Sequence, residues 1–165
     1  MKPLRSFFAL IVLVIPLFAA PPVRAQIDVG EGRASLRDAG PFFVRVDVEA
    51  GPALSTHPAL LGLTRAVAGR LSAGGAPPSP ERDGRPYLYV HVNALEMEEG
   101  LIPFTVSLQF LQTVRLARER TLPTTGCTWE AATVGLVSPD NVALIAEAAL
   151  DLADEFAMDF RAANR

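Results

Sequence analysis

Apolar and polar side chains alternate through the first half of residues 102–116. Phe104, Val106, Leu108 and Phe110 fall on one parity, and Thr105, Ser107 and Gln109 on the other. Successive side chains of an extended chain point to opposite faces, so this run predicts a long strand at the centre of an antiparallel sheet, one face in a core and one in water. Residues 42–49 repeat the pattern, with Phe42, Val44, Val46 and Val48 set against Phe43, Arg45, Asp47 and Glu49. Residues 87–95 set Leu88, Val90 and Val92 against Tyr87, Tyr89, His91 and Asn93, and a fourth strand is expected over about 124–134.

Two stretches carry the helical period instead. Leu60, Leu63, Val67 and Leu71 recur at helical spacing, with Ser55 or Thr56 as the expected cap and Pro58 in the first turn. Ser138-Pro139-Asp140 marks a second helix start, and Val142, Ile145, Ala149, Leu152, Phe156 and Phe160 form its stripe. The acids Glu147, Asp151, Asp154, Glu155 and Asp159 lie mostly away from the centre of that stripe. The order strand, helix, three strands, helix predicts an α+β two-layer sandwich: a four-stranded, mainly antiparallel sheet with two helices on one face.

Outside these elements the patterning fails. Residues 26–40 mix glycine and charge without period and are expected to be a flexible arm before a single domain over 41–165. Residues 72–86 are rich in proline and glycine and carry no anchoring apolar side chain, so a disordered loop is expected. Residues 1–25 have the layout of a secretory signal: Lys2 and Arg5, an apolar run over 7–20, and Val23-Arg24-Ala25 as a small-x-small cleavage site. The run holds Pro16 and is short for a membrane span, so a periplasmic or secreted protein without a stable span is expected once the signal is cut.

Cleavage would change the charge. Lys2, Arg5 and Arg24 would leave and no acid would, taking the formal net charge from −3 to about −6. An acidic exported domain is a poor nucleic-acid binder, which needs a basic surface. Lys2 is the sole lysine, so the processed chain has no Schiff-base lysine and no phosphate loop of the Gly-Lys kind.

Catalytic constellations are sparse. Cys127 shares parity with Trp129, and burying Trp129 while exposing Glu130 is the cheaper orientation, so Cys127 is expected inside as an inert thiol. His91 is expected on the outer face, which would separate the two halves of a Cys–His dyad; a small hydrolase or thiol enzyme using Cys127 with a histidine is the competing reading. His57 and His91 are the only histidines, and neither stands at ligand spacing from the acids of the last helix, so no metal and no cofactor is expected. What remains is the outer sheet face, with Tyr87, Tyr89, His91, Asn93, Gln109 and Arg115 as the candidate surface for another envelope protein or a small ligand. A free sheet edge is a second route, through strand addition.

The closing half carries a resemblance. Residues 104–114, Thr128-Trp129 followed by Val134-Gly135, and the helix over 154–164 ending in Asn164 resemble a group of small exported bacterial α+β proteins of unknown function. The topology is also similar to periplasmic accessory domains of envelope-assembly lipoproteins, although no lipid-anchoring cysteine is present here. The resemblance implies a fold and an envelope role and no catalytic residue.

Overall fold

The computed structural model describes residues 29–81, 86–97 and 100–165. The proposed signal segment and Glu98-Glu99 lie outside them. The order is α1 (Val29–Ala34), β1 (Phe43–Ala50), α2 (Pro52–Ser55), α3 (Pro58–Leu61), α4 (Leu63–Ala73), β2 (Tyr87–Ala94), β3 (Ile102–Leu116), β4 (Glu119–Val137), a 3-10 turn (Pro139–Asn141) and α5 (Ala143–Ala163). The sheet runs β1-β2-β3-β4: β1 and β2 are parallel, joined by the α2–α4 crossover, while β2, β3 and β4 form an antiparallel meander. The α+β sandwich expected from the patterning is therefore the fold.

The inward parity is as read. Val44, Leu88, Phe110 and Trp129 form one cross-sheet row, and all are buried. The helical stripes Leu60, Leu63, Val67, Leu71 and Val142, Ile145, Ala149, Leu152, Phe156 are buried against that face. Phe42, Phe110, Trp129 and Phe156 meet edge-on or tilted with ring centroids 5.0–5.7 Å apart, where apolar burial and ring quadrupoles both favour contact. Gly74 lets α4 and α5 close: a Cβ there would stand 2.6 Å from that of Ala157.

The helix expected between β1 and β2 is broken in three, α2, α3 and α4. Proline disfavours helical backbone in the residue before it, and His57 accordingly sits at φ −64°, ψ 130°. Its Nδ1 accepts from the Ala59 N–H at 3.3 Å, so His57 rather than Ser55 or Thr56 caps α3.

The described parts of two segments expected to be loose are docked, while residues 26–28 and 82–85 lie outside the described residues. α1 and the turn after it pack against α5 and β4: Leu36 is fully buried, Arg33 pairs with Asp159, and Asn164 binds residues 36–38. In the 72–86 segment Ala76 is fully buried, and the Ser79 N–H donates to the Phe42 carbonyl at 2.6 Å. A buried alanine anchors this loop where no large apolar residue exists to do so. β4 also starts earlier than expected, at Glu119, so β3 and β4 form a ribbon that projects past the end of β2.

Candidate functional site

The outer face is built in rows set by strand register. The first is Phe43, Tyr87, Leu111 and Cys127; the second is Arg45, Tyr89, Gln109 and Glu130. Asp47, His91, Ser107 and Ala132 follow, then Glu49, Asn93, Thr105 and Val134. Parallel pairing of β1 with β2 brings aromatic residues of both strands together. The Phe43 and Tyr87 rings stack with centroids 5.2 Å apart, and those of Tyr89 and His91 lie 5.8 Å apart at 9°. The Arg45 guanidinium sits 5.5 Å from the Tyr89 centroid, a cation–π distance.

Charges complete this platform. Arg45 donates to Asp47 Oδ2 at 3.0 Å, with its guanidinium also against the Tyr89 ring. Hydrogen bonding by Arg45, then by Tyr89, holds the Asp47 carboxyl below its ordinary range. Burial first, and the bond to Asp47 second, pushes the Tyr89 phenol up. Asp47 is solvated, so this cluster shapes the face more than it stabilises the fold. His91 Nε2 is shielded from solvent, makes no hydrogen bond, and has Glu49 Oε1 3.5 Å away, an ion pair when the ring is protonated. Beside the platform a concavity of about 450 Å³ opens at the β1 edge, lined by Phe43, Arg45, Asp47, Thr64 and Tyr87 among others.

The six sequence candidates do not belong equally to this platform. Tyr87, Tyr89 and His91 do. Gln109 lies in the Tyr89 row, its amide donating to Glu130 Oε1 at 2.9 Å. Asn93 stands a row further on and lines a different hollow, with Leu95, Pro103 and Val134. Arg115 pairs with Pro123 on the projecting ribbon, four residues or about 13 Å along β3 from the partner of Tyr87. Phe43 was absent from the candidates, although its outward parity in residues 42–49 was the available signal.

Cys127 is exposed and on the outer face, contrary to the buried placement expected from parity with Trp129. Phe110 pairs with Trp129 but Leu111 with Cys127, so Thr128 is an extra residue in β4. A bulge of one residue moves everything beyond it to the other face. Cys127 and His91 thus share a face instead of being separated by the sheet. They remain apart, because the partner of His91 is Ser107 and that of Cys127 is Leu111, four residues or about 13 Å along β3, with a strand between. The thiol donates to the Trp129 carbonyl at 3.3 Å; partial burial, then the Glu130 charge, pushes its pKa up, the opposite of nucleophile activation.

Asp159, expected with the other acids mostly away from the centre of the apolar stripe, is buried. Its Oδ2 accepts from the Trp129 indole at 3.1 Å and its Oδ1 from Arg33 Nε at 2.8 Å. Trp129, Asp159 and Asn164 thus work together in docking residues 33–38. Among the described residues no three histidine, cysteine or acidic side chains are grouped to hold a metal ion, and no helix is long and apolar enough to cross a membrane.

No protein-family model matches the chain, and no curated protein matches it. Among solved structures, one described as the crystal structure of an uncharacterized protein covers 74% of this chain and 91% of its own length, at 10% identity and a TM-score of 0.40. At that score the likeness bears on neither fold nor function.

Proposed function

We propose that this is an exported, non-enzymatic binding or accessory protein of the bacterial cell envelope, engaging another envelope protein or a small ligand through the Tyr87, Tyr89 and His91 face. One observation carries the reading: the outer face bears two ring pairs, Phe43 with Tyr87 and Tyr89 with His91, already ordered by mutual packing and by Arg45 and Asp47. Aromatic groups held in place before binding lose little entropy on contact, which is what a recognition surface needs. The raised thiol pKa of Cys127 speaks against thiolate chemistry on the same face. The leader pattern of residues 1–25 supports export, and the resemblance of residues 87–164 supports an envelope role.

The test is site-specific photocrosslinking in living cells from position 111, which faces Tyr87 across the sheet and belongs to neither ring pair, with fractionation and N-terminal sequencing of the same protein. A discrete adduct that disappears in the Tyr87→Ala/Tyr89→Ala variant, with little change in thermal unfolding and an N-terminus at Gln26, is the expected result. An adduct that survives both substitutions rejects this face, and an uncleaved cytoplasmic chain rejects the envelope role.

A further inference from the structure

The β4 edge presents a different surface. Nothing in the described chain pairs with the outer edge of β4 between Glu130 and Val137. Edge strands are ordinarily guarded by charge, proline or a bulge, because unpaired N–H and C=O groups invite another strand. β4 has all three in its earlier part: Pro123, the Thr128 bulge, whose carbonyl accepts from the Ser35 hydroxyl at 2.9 Å, and Glu130. From Ala131 to Val137 the sequence is Ala-Ala-Thr-Val-Gly-Leu-Val, with none of them.

The outward side chains there are apolar and open. Val134 is 77% exposed, Leu136 58% and Leu95 62%. With Pro103 they surround a hollow of about 430 Å³. Contiguous apolar surface of this kind marks an interaction site.

The pattern of the edge identifies its occupant. Strands related by a two-fold axis pair antiparallel, so each must complement its own reverse. With the axis on Val134, Ala132 faces Leu136 twice and Glu130 faces Ser138 twice on the outer side. Small thus meets large, and the one charge of the segment meets a hydroxyl, far from its own copy. On the inner side Thr133 meets Gly135 and Ala131 meets Val137. The neighbouring registers that keep the faces aligned are worse. An axis on Thr133 sets the Glu130 carboxylate against Leu136, and an axis on Gly135 runs Glu130 toward Asp140.

We propose that this chain forms a two-fold dimer in which residues 130–138, the end of β4 and the residue after it, pair antiparallel with the same residues of a second copy, joining two sheets into one of eight strands. Both tyrosine platforms then lie on the same side of the joined sheet. The dimer stands whatever that platform takes.

Sedimentation equilibrium on the protein as purified from the cells that make it tests this, from micromolar to sub-millimolar concentration. The wild type is expected to dimerise, and Val134→Lys, placing like charges across the axis, to raise the dissociation constant at least about tenfold. Leu122→Lys, on another exposed position of β4 outside the pairing segment, is expected to leave it unchanged. In a Cys127→Ser background, Val134→Cys is expected to form a disulfide-linked dimer under mild oxidation and Leu122→Cys to form none, since residues on the axis are directly opposed. A monomeric wild type overturns the proposal. So does a dimer that survives Val134→Lys and fails to crosslink through position 134.

Discussion

The indole N–H of Trp129 donates to Asp159 Oδ2 at 3.1 Å, inside the layer where β4 meets α5. The other oxygen of the same carboxylate is held by Arg33 of α1, so one buried acid ties a strand, the last helix and the first helix together. Removing Arg33 leaves a buried carboxylate short of its counter-ion, whereas removing Asp159 leaves a neutral indole N–H unpaired and an arginine that is already half in water. Arg33→Met is therefore expected to cost about 3 kcal/mol and Asp159→Ala about 1–3 kcal/mol. Urea unfolding followed by Trp129 fluorescence measures both, and an Arg33→Met loss well under that of Asp159→Ala contradicts the ordering.

Asn164 closes the same corner. Its amide donates to the carbonyls of Leu36 at 3.0 Å and Phe160 at 2.8 Å, and its oxygen accepts from the Asp38 N–H at 2.9 Å. Asp38 is held at φ 54°, a left-handed conformation that needs outside support. Asn164→Ala is expected to lower stability by about 1–2 kcal/mol and to speed amide exchange around residues 35–39 before the sheet is affected. Uniform loss of protection would show that Asn164 has no local role.

Gly135 lies under Phe104, whose ring atoms would stand 2.5 Å from an added Cβ. The ring covers a bare stretch of edge strand and cannot retreat without opening the core. Gly135→Ala is expected to cost about 1–3 kcal/mol despite its higher strand propensity, read as a drop in the denaturation midpoint at constant slope.

The Asp47 cluster has a definite pH signature. A carboxyl whose folded pKa is lowered contributes stability that is present above its unfolded value, 3.8, and is lost as pH falls through the folded one. Carboxyl-carbon NMR should place the Asp47 midpoint below 3.8. Arg45→Gln should move it up most and Tyr89→Phe less, following the order of the causes. Tyr89 has the reverse sign: its phenol is pushed up, so its contribution is present below 10.0 and fades as pH rises above it. A midpoint unmoved by Arg45→Gln would remove the ion pair from the platform.

Cys127 is reachable in the native protein, so a thiol reagent should modify it without denaturant. The rate is expected to be slow at neutral pH and to climb into the alkaline range, because the thiolate reacts and its pKa is raised. Glu130→Gln should accelerate labelling about twofold by removing the nearby charge. Rapid labelling at neutral pH would reopen thiol chemistry at this face.

The outer face was legible as a set of residues and not as a site. Alternation in residues 87–95 placed Tyr87, Tyr89 and His91 on one side, and they are there. It gave no means of knowing that β1 lies parallel beside them, bringing Phe43 and Arg45 into contact with the rings. The apolar end of the face is written in the sequence: outward positions in β4 run Glu130, Ala132, Val134, Leu136, from charged to aliphatic.

Period-two and period-3.6 patterning by itself determined the two layers, because each records which side of one local element avoids water. It reached no further than one element at a time. The extra residue at Thr128, the burial of Asp159 and the docking of residues 29–39 were decided by tertiary structure, through partners as distant as Arg33 and Asp159, 126 residues apart. An acid reads as solvated until a distant donor is brought to it. A thiol reads as buried until the register across the sheet is known.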